Sequence, residues 1–165
     1  MSFKPVYNAD AAQINTDIPA RIVRDWIQTN WAVVGIPANK VDWAFLGEQY
    51  SWEGKTFVIS AYSDPPQRKD AEISPNSKEI RQRVILDIWV MDLNAFVSGK
   101  WPDSIVKIMK WLQNYIDMNP SGLQNYGIGV VEYETENFVE FGSTSKKNWF
   151  HANVMLNLEW FLVRS

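Results

Sequence analysis

The sequence predicts a single α+β domain, a mostly antiparallel β-sheet covered on one face by two α-helices, with a long loop at 63–78. Two segments have the apolar spacing of amphipathic helices, and several others alternate apolar and polar residues as strands do. The order is helix, strands, long loop, strand, helix, strands, which is typical of the α+β class. We expect residues 1–16 to form an N-terminal arm and residues 17–165 to form the domain.

The composition is that of one folded domain, with 46% hydrophobic and 21% charged residues. The net charge of −3 argues against a general nucleic-acid binder, which has a basic excess. The absence of cysteine excludes disulfides, thiolate zinc sites and cysteine nucleophiles. No run of about 18 apolar residues is present, so we expect a soluble chain made in the cytosol.

Nine tryptophans and an aromatic fraction of 14% are unusual for this length. Large aromatic side chains either fill a small core or form protein–protein contacts, where tryptophan and tyrosine are enriched. We favour a mixture of the two.

The first helix is predicted to begin near Asp17, a suitable N-cap, with Pro19 in its first turn. The second is predicted to open at Asp103 or Ser104. Its core face is formed by the residues that fall within one arc of about 100°, namely Ile105, Ile108, Met109, Leu112 and Ile116.

Trp111, Tyr115 and Met118 form a second stripe on the flank of this helix. The stripe is either the edge of a wide core face or an intersubunit contact. We favour the contact.

The strands are predicted at 41–46, 55–62, 79–92 and 126–134, with a turn at Glu136 and Asn137 and a short piece at 138–141. The last strand spans about 13–15 residues, far beyond the usual five or six. It either bends at a bulge or extends to pair with a neighbouring subunit.

The strand at 79–92 has one almost purely aliphatic face and one mixed face. The mixed face presents the side chains Arg81, Arg83, Ile85, Asp87, Trp89 and Met91. A monomer with one solvated sheet face does not usually place Trp89 and Met91 on it. This face is therefore a candidate contact between copies of the chain.

The segment 63–78 contains three prolines and charges of both signs, which predicts a long exposed loop. Loops of this length are usually functional or mobile. It either orders against a neighbour, lines a channel or is merely solvated. The candidate docking or lumen residues are Asp64, Arg68, Lys69, Asp70 and Glu72.

No catalytic motif is present, and we expect no enzymatic activity and no cofactor. The only histidine, His151, lies far along its strand from Glu159, and we expect a hydrogen-bonded sheet histidine. Glu132 and Glu134 with Asp87 are a candidate metal site of a metal-dependent nuclease. The lysine that such sites place two residues after a strand carboxylate is missing, which argues against this alternative.

Four segments together resemble the tail terminator, or neck, proteins of tailed bacteriophages. They are the first helix ending in Asn30 and Trp31, the strand RVILDIWVMD running into a long helix, the segment GIGVVEYETENF and the closing strand HANVMLNLEWFL. The resemblance spans most of the chain from Asp17. It implies an α+β subunit of a ring, commonly a hexamer, that caps the tail tube, joins it to the head-side connector and leaves a channel for DNA.

The partners implied are further copies of the chain, the tail tube protein and the connector protein, with passing viral DNA and no membrane. The location implied is the virion, after assembly in the host cytoplasm. Our candidate interface residues, chosen on physical grounds, are Trp89, Trp111, Tyr115, His151 and Phe161. The alternatives are another head-completion, connector or tube protein of the virion, and a free-standing cellular binding module.

Overall fold

A mixed β-sheet with two α-helices on one face organises the part of the chain that the structure describes. The structure is a computed structural model, and it describes residues 13–15, 17–45, 56–70, 77–92, 103–143 and 148–163. Its strands are β1 (Val41–Phe45), β2 (Phe57–Ser63), β3 (Gln67–Asp70), β4 (Ser77–Asp92), β5 (Val130–Ser143) and β6 (Asn148–Val163).

The strands are ordered β1-β2-β4-β6-β5, and β3 pairs with β4 beyond the end of β2. Only the β1–β2 pair is parallel among the described strands. The prediction of a mostly antiparallel sheet is thus confirmed. The β4–β6 pair at its centre runs without interruption from Ser77 opposite Val163 to Asp92 opposite Asn148.

The helices are α1 (Pro19–Thr29) and α2 (Asp103–Met118). Short 3-10 turns lie at Gln13–Asn15, Ala38–Lys40 and Gln124–Tyr126. All five residues predicted for the core face of α2 are buried. They join one core with the buried face of α1 and the aliphatic sides of the central strands. Both helices therefore cover the same face of the sheet, as predicted.

The predicted N-cap of α1 is wrong by one residue. The cap position is Ile18, which is extended and makes no side-chain cap hydrogen bond. Pro19 favours the first helical position and pushes the preceding residue out of the helical region. Asp17 instead accepts a hydrogen bond from the Ile18 backbone N–H and lies 3.4 Å from an Arg21 Nη1.

The predicted loop at 63–78 is wrong in its middle, because Gln67–Asp70 forms β3 and extends the β2–β4 pairing. The residues Asp64, Pro65 and Pro66 form an irregularity between β2 and β3, where Asp64 N–H donates to the carbonyl of Arg83. Prolines are tolerated at such bulges and on edge strands because no ladder hydrogen bond is lost there. Residues 71–76 lie outside the described part.

The two alternatives for the last strand are both wrong, because β6 pairs along its whole length with β4 of its own chain. The register irregularities lie in its other partner, β5, between Tyr133 and Thr135 and between Phe138 and Glu140. The predicted turn at Glu136 and Asn137 is also wrong. These residues stay in the ladder opposite Val154 and Asn153.

Most of the predicted N-terminal arm lies outside the described residues. The exception is the 3-10 turn at Gln13–Asn15, in which Ile14 is buried in the core. Packed structure therefore begins before residue 17.

Candidate functional site

The face of the sheet opposite the helices, which we call the second face, is the candidate functional surface. Strand side chains alternate, so residues next to core residues such as Ile59, Leu86 and Val154 lie on it. The register aligns its central side chains in three rows across β2, β4 and β6. The rows are Val58–Trp89–His151, Ser60–Asp87–Asn153 and Tyr62–Ile85–Met155.

Two aliphatic side chains of the second face are as buried as the core. Val58 is 2% exposed and Ile85 is 3% exposed, although both described helices lie on the other side of the sheet. Burial of an aliphatic side chain to this degree contributes roughly 1.5–3 kcal/mol each. The second face is therefore not an ordinary solvated sheet face.

Asp87, Trp89 and His151 form a compact polar and aromatic group beside these aliphatic residues. The Nε2 atom of His151 lies 2.8 Å from Oδ1 of Asp87, and both side chains are nearly seven-eighths buried. The imidazole stacks on the indole of Trp89, with 3.9 Å between ring centroids and an interplanar angle of 6°. The prediction of a hydrogen-bonded sheet histidine is thus confirmed, and its partner is Asp87.

Asn153 follows in the next row with a buried side-chain oxygen. Its Oδ1 accepts no hydrogen bond from any residue in the described part of the chain. Buried polar atoms in native proteins almost always have a partner, and an unsatisfied one costs about 1–3 kcal/mol. Among the described residues, the Asn153 side-chain oxygen thus lacks the hydrogen-bond donor that a buried oxygen normally has.

Farther along the same face, Arg83 of β4 contacts two carboxylates, one on β5 and one just after the end of β2. Its guanidinium donates two hydrogen bonds to Glu134 of β5, at 2.7 and 3.0 Å, and lies 3.8 Å from Asp64. The hydrogen bond and the charge of Glu134 raise the pKa of Arg83. The guanidinium is exposed, so this group contributes more to the charge pattern of the surface than to stability.

A second ion-pair group lies at the outer end of the face. Arg81 is 3.0 Å from Glu159 of β6 and 3.4 Å from Glu79. The second face therefore divides along the strand direction into an apolar and aromatic half and a charged half.

Three of the five predicted interface residues lie on the second face. Trp89 and His151 are in direct contact, and Phe161 lies at the charged end, opposite Glu79. All three are partly buried. A role of these side chains in a subunit contact stays a prediction.

The other two, Trp111 and Tyr115, lie in an aromatic cluster on the helix side. Their rings stack at 5.1 Å, Trp111 contacts Trp31 at 5.2 Å, and Tyr115 contacts Trp26 of α1 at 5.2 Å. These contacts fit the alternative of a wide core face. An additional intersubunit role for the two residues stays a prediction.

The five predicted loop residues do not form one loop. Asp64 lies in the irregularity before β3, whereas Arg68, Lys69 and Asp70 belong to β3 itself. Arg68 is exposed, and Glu72 lies outside the described residues. The strand structure of β3 was missed because its sequence, QRKD, has no apolar residue to show alternation.

The candidate metal site is not formed within the described residues, where no group of three or more histidine, aspartate or glutamate side chains could hold a metal ion. Glu134 is hydrogen-bonded to Arg83, and Asp87 is hydrogen-bonded to His151. Sequence alternation alone missed these partners because they depend on the register of strands distant in sequence.

The hydrogen bond from the Tyr133 hydroxyl to the Glu136 carboxylate was also missed. The irregularity between Tyr133 and Thr135 brings the two residues to the same side of β5. Burial, then this hydrogen bond, raises the pKa of Tyr133.

No protein-family model matches this chain, and no curated protein matches it in sequence. Among the helices that the structure describes, none has the length and apolar content needed to cross a membrane.

Proposed function

We propose that this chain is a structural subunit of a tailed-bacteriophage virion, which assembles into a ring that terminates the tail tube. The ring joins the tube to the head-side connector and leaves a channel for DNA. Its partners are copies of itself, the tube protein and the connector protein. The proposal joins the sequence resemblance described above to the properties of the second face.

The observation that supports the proposal best is the Trp89–His151 stack, which places two aromatic rings on the sheet face opposite both helices. The stack lies beside the aliphatic residues Val58 and Ile85, and Asn153 in the next row has a side-chain oxygen with no hydrogen-bond donor among the described residues. Interfaces between protein chains combine aromatic anchors, apolar surface and a polar surround in this way. A face of this type fits a chain that works by contact with other copies.

The charge of the chain fits the same function. A channel for DNA has to let the phosphate backbone pass without holding it, and tight non-specific binding requires a basic excess. The net charge of −3 supplies no such excess.

The proposal is tested by the solution mass of the purified full chain, measured by light scattering over a wide concentration range and followed by negative-stain electron microscopy. We expect a species near six subunits and ring-shaped particles with a central hole. Trp89→Ala should weaken this assembly, whereas Lys110→Ala, on the exposed side of α2, should not. A chain that stays monomeric at every concentration, alone and with phage tail tubes, contradicts the proposal.

A further inference from the structure

One row of side chains crosses five strands of the sheet and ends in an aromatic residue at each edge. The row is formed by Trp43 of β1, Ile59 of β2, Ile88 of β4, Ala152 of β6 and Phe138 of β5. Directly paired residues of neighbouring strands have their side chains on the same face. The three central members are buried in the core, so Trp43 and Phe138 both lie on the helix side of the sheet.

The strands that carry these two residues are the outer strands of this part of the sheet. β1 pairs with β2 and β5 pairs with β6, and within the described ranges neither has a strand on its other side. β3 does not lie between them and the outside, because it pairs with β4 beyond the end of β2. An edge strand presents unpaired backbone N–H and C=O groups that can pair with another chain. Both edges can therefore extend the sheet.

The strand directions suit a contact between the two edges. β1 is parallel to β2, and each of the three further steps to β5 is antiparallel. β1 and β5 therefore run in opposite directions. When two copies lie side by side with their sheets in line, β5 of one copy is antiparallel to β1 of the next. Antiparallel pairing is the slightly more stable arrangement per residue.

The register suits the same contact. Because Trp43 and Phe138 belong to one row, copies placed side by side bring them opposite each other without a shift along the strands. Antiparallel pairing from this point places Ala44 opposite Asn137 and the next residue of β1 opposite Glu136. None of these pairs opposes two like charges, which would destabilise the ladder.

The irregularities of β5 define how far such a ladder extends. They lie between Tyr133 and Thr135 and between Phe138 and Glu140, and the stretch 135–138 between them is regular. Bulges bend a strand and interrupt its pairing. The edge of β5 therefore suits one short ladder that ends at Phe138, and β1, with five residues, is long enough to form it.

The aromatic side chains at the two edges provide the apolar surface for this contact. Phe138 is 40% exposed, which is high for a phenylalanine. At the other edge Trp43 is partly buried and packs edge to face on Trp31, with 5.3 Å between ring centroids. The indole N–H groups of Trp31 and Trp43 already donate to the carbonyls of Ile36 and Ala38. A ring that packs here therefore meets apolar surface, and aromatic pairs across strands are stabilising.

From these features we infer that β1 of one copy pairs antiparallel with the stretch 135–138 of β5 in the next copy, with Phe138 packed against Trp43. The contact joins two different surfaces, so it is head-to-tail and generates a closed ring when the rotation closes. This inference rests on the proposed function, specifies a contact between its subunits and adds to the contacts of the second face. Backbone pairing sets the orientation, and the aromatic pair supplies the buried apolar area.

The first test is a disulfide cross-link, which is clean because the natural chain has no cysteine. The full-length variants Ala44→Cys and Asn137→Cys are mixed in equal amounts under mild oxidation. Cα atoms of opposite residues in an antiparallel ladder lie about 4.5–5.5 Å apart, within the range that a disulfide can join. Disulfide-linked dimers should form at least roughly tenfold faster in this mixture than in either variant alone, since within one variant the thiols do not face each other.

The matched control is a mixture of Asn137→Cys with Lys110→Cys, which places the second thiol on the exposed side of α2. Non-reducing gels at equal protein concentrations measure both rates. Slow cross-linking is expected in the control mixture, because the proposed contact does not bring these two positions together.

The second test changes the aromatic pair and leaves the chain without cysteine. Phe138→Glu places a carboxylate against Trp43 and beside Glu136, so light scattering should show assembly only at a roughly tenfold higher concentration than for the wild type. Phe138→Leu keeps an apolar side chain and should lose less. Circular dichroism checks that both variants fold, as expected for a partly exposed position.

The outcomes separate this inference from the ring proposal. The edge contact is overturned, and the ring proposal stands, if the wild type forms rings while the 44/137 mixture cross-links no faster than the control. Assembly of Phe138→Glu at the wild-type concentration overturns the edge contact as well. A wild-type chain that stays monomeric under all conditions removes the ring proposal and this inference together.

Discussion

His151 stacks face to face on Trp89 while its Nε2 atom lies 2.8 Å from Oδ1 of Asp87. The histidine and the aspartate come from β6 and β4, so this group ties the two central strands together on the second face. The side chains are mostly buried, and the loss of one partner leaves the other without its hydrogen bond.

Asp87→Ala should therefore lower the free energy of unfolding by about 1–3 kcal/mol, the cost of leaving a buried polar partner unsatisfied. Urea denaturation followed by circular dichroism measures it. Asp87→Asn retains an acceptor for the imidazole and should lose less. Equal losses in the two variants would show that the hydrogen bond to His151 is not the cause.

Gly122 is required by the close approach of Trp26. A Cβ atom at residue 122 would lie 2.6 Å from Cζ2 of Trp26 and 3.2 Å from the Asn119 carbonyl oxygen. Gly122→Ala should therefore destabilise the protein by about 1–3 kcal/mol through overpacking. Thermal unfolding of this variant should be compared with that of Gly129→Ala, where the nearest atom would lie 3.4 Å from the added Cβ. A Gly122→Ala variant no less stable than Gly129→Ala would refute this packing argument.

Tyr133 should make the free energy of unfolding depend on pH in the alkaline range. Burial and the Glu136 hydrogen bond raise its pKa in the folded state above the ordinary value of 10.0. Ionisation thus favours the unfolded chain, so the stabilisation is complete below pH 10.0 and falls as the pH rises above it. The loss from this residue is up to about 1.4 kcal/mol per pH unit.

Tyr133→Phe should flatten the decline of the unfolding free energy above pH 10.0. Denaturant titrations at a series of alkaline pH values measure the slope. The control is Tyr126→Phe, which removes a partly buried tyrosine with no carboxylate hydrogen bond among the described residues. An unchanged slope in Tyr133→Phe would contradict the assignment.

Trp111 packs against Trp31 and Tyr115 and connects α2 to the segment after α1. Trp111→Ala should lower the free energy of unfolding by about 2–4 kcal/mol, somewhat below the value for a fully buried tryptophan. The comparison is Met118→Ala on the same helix, because Met118 is 81% exposed and its loss should change stability by no more than about 0.5 kcal/mol. Similar small losses in both would mean that the aromatic cluster does not stabilise the single chain.

The fold class and the core were predictable because they depend on local periodicity. The core face of α2 and the aliphatic side of β4 follow directly from spacings of 3.6 and 2 residues, and the structure buries both sets. β3 was not predictable in the same way. Its four polar residues form a strand because β4 lies beside them, and no local signal of β3 indicates this.

Only part of the second face could be predicted from the sequence. Alternation placed Asp87, Trp89 and His151 on mixed strand faces, but their contact depends on the pairing of β4 with β6. That register joins segments on either side of α2. The same reason explains why the pairing of Arg83 with Glu134 and the aromatic contact of Trp111 with Trp31 were missed.

The central β4–β6 ladder has a consequence for how the chain folds during synthesis. Every residue of β4 pairs with a residue of β6, and α2 and β5 are made between them. β4 and β6 can therefore pair only after the other described helices and strands have left the ribosome. Pairing of this kind, distant in sequence, folds slowly. Until then the apolar side of β4 is open to chaperones and to other nascent chains, so the yield of folded protein should depend on translation speed and chaperone supply.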